Sequence, residues 1–369
     1  MKFLLIYVPN LRFTNNQLKD FKIVDICKLK QGNQYDLKQQ FTEEKSDLKR
    51  FIRIIDYTQK TNDIRYVYSN GSENYVDCTD VVVVRYGASA GYVGRGINGI
   101  IANNLFTIRP INSALLNKSY LYHYLNAPVI QKQLNNTQSS GMPALNFQTI
   151  NNLHILLPEY QEQRQIAVFL DKIDERIQTQ SKIIDSYFSL SKAISNTLIG
   201  QSKGNTRLRE CLNCYSSNTM ESVIKQEDLG DYPVYGANGI IKKINNYEIE
   251  YPSIAIVKDG SGVGKMFKLS GKYSILSTLN YLTSKPGYDI DYIYYALKQK
   301  SLKKYVVGSG IPHIYFKDYE QEKIYIPQNE LQQQNITSVL QSIDEEIGNE
   351  IKQLKNYELL KKYLSLIHI

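Results

Sequence analysis

The stretch IAVFLDKIDERIQTQSKIIDSYFSLSKAISNTL (Ile166–Leu198) decides the fold. Its seam positions Ile166, Leu170, Ile173, Ile177, Gln180, Ile184, Tyr187, Ser191, Ile194 and Leu198 are spaced alternately by four and three residues. That alternation keeps one stripe of a helix facing a partner helix, as in a coiled coil. Adding 170 to each number gives Ile336, Leu340, Ile343, Ile347, Glu350, Leu354, Tyr357, Lys361, Leu364 and His368. The apolar and aromatic positions recur, and so do the polar breaks, Gln180 and Ser191 returning as Glu350 and Lys361. Two unrelated amphipathic helices would not share their defects, so the chain is internally duplicated. Each seam covers about 33 residues, which at ~1.5 Å per residue is roughly 50 Å of helix. Pro158 and Pro327 stand just before the two helices, where proline is tolerated, and Gly200 is expected at C′ of the first. The run GQSKGN (Gly200–Asn205) reads as a linker. The helices are expected to pair antiparallel through Ile166, Leu170, Ile173, Ile177, Ile184 and Tyr187 on one side and Ile336, Leu340, Ile343, Ile347, Leu354 and Tyr357 on the other.

Working outward, SSGMPALNF (Ser139–Phe147) recurs as GSGIPHIYF (Gly308–Phe316), with Gly141, Pro143 and Phe147 matched by Gly310, Pro312 and Phe316. Before each helix lies a segment of different character. β-like runs occur at Val81–Val84, Ser253–Val257 and Ile324–Ile326, and glycine-rich turns at Gly87–Gly99 and Gly260–Gly264. The reading is an α+β chain of four parts: a mixed α/β globule over 1–157, a helix and linker over 158–203, a second globule over 204–326, and a second helix over 327–369.

A chain of 369 residues with 42% hydrophobic and 22% charged residues is ordinary for a globular protein, which excludes a wholly disordered or fibrous one. Four Cys cannot make a disulfide scaffold, and a reducing compartment is expected. The opening MKFLLIYVPN has too short an apolar run for a secretory signal, and no stretch approaches the length needed to span a bilayer. The expectation is therefore a cytoplasmic protein without a membrane partner. The helix segments Glu159–Gly200 and Pro327–Ile369 carry net charges of −1 and −2, so the rest of the chain holds +11 against a total of +8. Excess positive charge confined to the globules suits a polyanion, while near-neutral helices suit protein partners.

LLPEYQEQRQIAVFLDKIDERI (Leu156–Ile177) and IYIPQNELQQQNITSVLQSIDEEI (Ile324–Ile347) resemble the openings of the spacer helices in specificity subunits of type I restriction–modification enzymes. VPNLRF (Val8–Phe13) is similar to a common opening of that family. The resemblance covers essentially the whole chain. It implies two target-recognition domains alternating with two long helices, each domain reading one half of a bipartite DNA target. It further implies two methyltransferase subunits docked on the helices, restriction subunits beyond them, and no catalysis by this chain. The complex, not this chain, would use S-adenosylmethionine, with ATP and Mg²⁺ for restriction.

Competing motifs are incomplete. DGSGVGKM (Asp259–Met266) has Asp where a phosphate-binding loop needs its first Gly, and Met where it needs Ser or Thr. GYVGRG (Gly91–Gly96) lacks the dinucleotide-binding spacing. Cys211-x-x-Cys214 has no second ligand pair, so no metal site is expected. The ten prolines are never adjacent, so the Pro-Pro-aromatic loop of adenine methyltransferases is absent. Candidate DNA contacts are Arg85, Tyr92, Arg95, Ser140 and Asn146 in the first globule, and Lys258, Lys265, Ser309, His313 and Tyr315 in the second. These residue types bond base edges or phosphates. The competing class is a coiled-coil scaffold whose globules bind protein or glycan, and salt-sensitive DNA binding separates the two.

Overall fold

The structure is a computed structural model that describes residues 18–59, 61–135, 143–224 and 230–368. Val8–Phe13 and Ser140 lie outside the described residues, as does the side chain of His368. The chain divides into two compact units, residues 1–181 with 352–369, and residues 182–351. Both divisions fall inside long helices, so each unit holds one globule, part of the first long helix and part of the second.

In the first unit a four-stranded antiparallel sheet runs in the order Cys27–Gln31, Leu105–Pro110, Val81–Val84, Val93–Gly94. The Val81–Val84 strand is buried on both faces, which is why it reads as an unbroken valine run rather than an alternation. A second sheet orders Arg65–Tyr68, Leu48–Ile52, Gly99–Ile101 and Tyr75–Val76, with Leu48–Ile52 parallel to Gly99–Ile101. Lys19–Lys22 pairs antiparallel with His154–Leu157 and ties the start of the globule to its end. Helix α1 (Lys118–Leu125) begins where the Asn117 side chain accepts from the amides of Ser119 and Tyr120. It buries Tyr120, Leu121, Tyr124 and Leu125 in one core with Val81, Val83, Phe106 and Ile108.

The first long helix, α2 (Tyr160–Ser195), starts two residues after Pro158. Its opening turns place Ile166, Ala167, Leu170 and Ile173 in the core of the first globule, which Leu364 near the chain's end also joins. An ion pair of 2.5 Å between Lys361 and Asp174 lies beside them. The opening of one long helix thus lies against the close of the other, the antiparallel pairing expected from the seam.

The second unit repeats this plan. Leu212–Ser216, Leu279–Ser284, Ser253–Val257 and Met266–Leu269 form a sheet of the same order and the same antiparallel sense. Tyr232–Gly236 pairs antiparallel with Gly239–Ile244 and parallel with Ser274–Ile275, as Leu48–Ile52 does with its neighbours in the first unit. Helix α3 (Ile290–Lys298), capped by Asp289, matches α1. The second long helix, α4 (Glu330–His368), sends Ile336 and Leu340 into a core with Leu208, Ile254, Tyr292 and Tyr319, where Ile199 from the close of the helical run after α2 is also buried.

Seam positions of the sequence reading are buried or half-buried from Ile166 to Leu198 and from Ile336 to Leu364. Two details differ from expectation. Gly200 is the last residue of a π-helical turn, Asn196–Gly200, that continues α2, rather than a C′ residue beyond it. Of the run Ile324–Ile326 only Ile324 is strand, in the two-residue strand Lys323–Ile324 that pairs with the equally short Thr206–Arg207.

Candidate nucleic-acid interface

In both units the buried central strand runs into the glycine turn, and the stretch from Pro143 or Pro312 lies across that turn, Gly141 and Met142 falling outside the described residues. In the first, the Gly87 amide donates to the Pro143 carbonyl (2.9 Å), Leu145 donates back to Arg85 (2.8 Å), and Gly91 donates to Val84 (2.9 Å). In the second, Gly260 donates to Pro312 (2.9 Å), Ile314 to Lys258 (2.9 Å), and Gly264 to Val257 (2.9 Å). The bonds correspond one for one. Gly87 and Gly91 have φ of +88° and +89°, and Gly260 and Gly264 +92° and +83°, a backbone region that side chains disfavour. The two motifs singled out in the sequence therefore form one structure in each globule, Arg85 standing where Lys258 stands and Tyr92 where Lys265 stands. This context also removes the phosphate-binding-loop reading of Asp259–Met266, since the turn joins antiparallel strands and opens no helix.

The side chains around the two turns differ. In the first, the Arg85 guanidinium lies over the rings of Tyr86 and Phe147, at 4.8 Å and 4.3 Å, and its Nη1 donates to Gln31 Oε1 at 2.7 Å. Its buried Nε has no partner among the described residues. Gln31 in turn donates from Nε2 to the Asn103 carbonyl at 2.6 Å, and Asn103 Nδ2 donates to Gln34. The rim is thus one arginine buttressed by amides, with Tyr92 exposed at 43%. Asn146 is the N-cap of the short helix Phe147–Asn151, its Oδ1 accepting from the Gln148 amide at 2.9 Å, which leaves its NH₂ to donate outward.

In the second, the exposed Lys265 ammonium donates to Asn238 Oδ1 at 3.1 Å. Ser309 lies at the tip of a hairpin closed by reciprocal bonds between Val307 and His313, at 2.9 Å and 2.8 Å. The His313 ring sits 5.1 Å from that of Tyr315, and the Lys317 ammonium lies 5.4 Å from the Tyr315 ring. Here the rim offers cations, an imidazole and hydroxyls. Gln31, Gln34, Asn103, Asn238 and Lys317 were not singled out by sequence. All but Lys317 sit in or beside turns (QGN at 31–33, ANN at 102–104, ANG at 237–239), and those turn signals are what could have found them.

Arg95 corrects the sequence reading. It faces away from the turn, donating to Asp171 of α2 and to Ser119 Oγ (2.5 Å), with its guanidinium 3.9 Å from the Tyr122 ring. Arg95 therefore holds globule to helix, its guanidinium occupied by these partners. Asp171 also accepts from Ser119 Oγ at 2.8 Å and bonds His123 Nε2 at 2.7 Å. Burial pushes the Asp171 carboxyl up, but the bonds from His123, Arg95 and Ser119 outweigh it and hold the group well below the usual carboxylate range. Burial holds His123 below the ordinary imidazole value despite the pull of Asp171. Its Nδ1 is buried without a partner among the described residues, so the neutral ring donates from Nε2. The second unit uses Tyr295 at the matching place, its hydroxyl donating to Asp344 at 3.0 Å.

A pH dependence follows. A buried imidazole with a lowered pKa binds its proton more readily in the unfolded chain. Its contribution is complete above the unfolded value of about 6.5 and is lost as pH falls from there toward the lowered folded value. Melting of the full chain should therefore shift down between pH 7.5 and 5.5, by about 2–4 °C for each ~1 kcal/mol lost. His123→Tyr, copying the second unit, should flatten that part of the profile. A wild-type profile already flat there would contradict the assignment.

Three of the four thiols are buried or half-buried, and Cys78 is exposed. Burial pushes Cys27 and Cys211 up to about 12 and Cys214 up to about 11. Among the described residues no three His, Cys, Asp or Glu side chains are grouped to hold a metal ion, and no helix is long and apolar enough to cross a membrane.

Comparison with known proteins places this architecture. A family model described as type I restriction modification DNA specificity domain matches residues 15–186 and 206–356. The type I restriction enzyme MjaVIII specificity subunit of Methanocaldococcus jannaschii is 35% identical over 162 residues, which are 40% of this chain and 37% of that relative. The crystal structure of a type I restriction–modification system S subunit from M. genitalium has a TM-score of 0.68 at 18% identity, covering 97% of this chain and 98% of its own. A structure reported under complex assembly and conformational transition of the type I R-M system has a TM-score of 0.51 at 14% identity, covering 95% and 96%. At such identities the two structures share a fold with this chain. The family model matches each globule together with most of the long helix that follows it, and the chain belongs to the type I restriction–modification DNA specificity domain family.

Proposed function

We propose that the chain is the DNA-reading subunit of a type I restriction–modification complex and performs no chemistry itself. Each globule reads one half of a bipartite target, and the long helices set the gap and dock two methyltransferase subunits, with restriction subunits joining that assembly. S-adenosylmethionine, and ATP with Mg²⁺ for restriction, belong to those partners. The complex works in the cytoplasm. The observation that carries the reading is the pair of turns with identical backbone bonds and different side chains: arginine and amides around Arg85, lysines, imidazole and hydroxyls around Lys258 and Lys265. Two copies of one reading surface with different side chains suit two half-sites of different sequence. The positive charge concentrated in the globules agrees, because phosphate neutralisation drives DNA association.

The test is to co-express the chain with its methyltransferase subunits in a methylation-free host and map modified adenines. A split, non-palindromic motif is expected. A continuous or palindromic motif would contradict reading by two unlike globules.

A further inference from the structure

Two globules that read different sequences have one thing in common at their targets, the phosphodiester backbone. What they share in structure is main chain. In each turn a left-handed glycine is followed by two residues that close a tight bend, the Ala90 amide donating to Gly87 (2.9 Å) and the Val263 amide to Gly260 (3.1 Å). The amides inside the bends are those of Ala88 and Ser89 and of Ser261 and Gly262. None of the four has an acceptor among the described residues. Ala88 and Ser261 are exposed at the tips, while Ser89 is half-buried and Gly262 buried behind them. Successive free N–H groups next to a left-handed residue form an anion-binding concavity. Cations adjoin both bends: Arg85 precedes the first, and Lys258 and Lys265 bracket the second. One acidic residue, Asp259, flanks the second bend, where those two lysines outnumber it.

We propose that each glycine turn is a phosphate clamp, with the main-chain amides of Ala88 and Ser89 and of Ser261 and Gly262 holding one DNA phosphate per half-site. The clamp fixes the depth and register at which the differing side chains meet the bases. This inference rests on the DNA-reading function proposed above. It also explains why the backbone of the two turns coincides while their side chains do not.

Ala88 and Ser261 occupy the second position of their bends, where proline fits the backbone and removes the N–H. Full-length Ala88→Pro and Ser261→Pro chains are compared with Ala88→Val and Ser261→Val, which keep the amide. The ligands are duplexes carrying the methylated motif, unrelated duplexes, and motif duplexes with single neutral methylphosphonates. Each proline variant should bind target and unrelated DNA about 3–10-fold more weakly, as expected for one lost amide–phosphate bond, with the motif unchanged. One methylphosphonate per half-site should weaken the wild type and the valine variants but not the matching proline variant. Should a proline variant fail to fold, Ala88→Asp or Ser261→Asp replaces it, with weaker binding expected from charge repulsion. Wild-type binding with unchanged binding by these variants overturns the clamp and leaves the DNA reading standing. Loss confined to the target duplex also overturns the clamp, because phosphate contacts carry no sequence information. A wild-type chain that binds no duplex removes the DNA reading, and the clamp with it.

Discussion

Replacing Leu170 or Leu340 with Ala should destabilise the unit that contains it by about 2–5 kcal/mol, the range for truncating a fully buried leucine and leaving a cavity. Both side chains are at 0% exposure. Each joins a long helix to a globule core: Leu170 with Ile166, Ala167 and the sheet residues of the first unit, Leu340 with Ile336, Tyr292 and Tyr319 of the second. A seam residue that served helix pairing alone would cost less, since helix faces in two-stranded coiled coils remain partly wet. The contrast is Tyr187→Ala, at a half-buried seam position outside either globule core, where a smaller loss is expected. Chemical denaturation resolves these values. Losses at Leu170 and Leu340 no larger than at Tyr187 would mean that the helices are tethers and not part of the globule cores.

Lengthening the first long helix should lengthen the gap in the DNA target. Residues Tyr160–Ser195 form one α-helix of 36 residues. Seven inserted residues keep a seam in phase and add about 10 Å at ~1.5 Å per residue. DNA rises ~3.4 Å per base pair, so full transmission would add about three base pairs. The second long helix is not lengthened and must slide or bulge, so transmission is partial and the expected gain is about one to three base pairs, with both half-sites unchanged. A four-residue insertion of arbitrary sequence rotates the following seam residues out of line, and loss of methylation is expected. An unchanged gap in an active seven-residue variant would show that the methyltransferase subunits set the spacing.

Much of this architecture was legible in the sequence because coiled-coil spacing survives divergence. A seam tolerates Ile, Leu or Tyr at each place provided the period holds, so the matched breaks Gln180/Glu350 and Ser191/Lys361 reported the duplication directly. The likeness of the globules was hidden by an insertion. Between paired strands the first globule has residues 53–64, including the short helix Ile54–Thr58, where the second has only Ala237 and Asn238. That shifts every later match and obscures a common strand order. The glycine turns were visible as composition, but their pairing with the stretches from Pro143 and Pro312 depends on backbone bonds some 50–60 residues apart. Arg95 stands beside the glycine turn in sequence, but just past the short strand Val93–Gly94 its guanidinium bonds Asp171 of the long helix, a contact that no local pattern announces.

On the proposed function, two equivalent globules read two halves of one target independently. Exchanging residues 1–157 for the first globule of another family member and sequencing the methylome tests that independence. One half of the methylated motif should change while the other half and the gap are retained. A motif altered in both halves, or in neither, would contradict it.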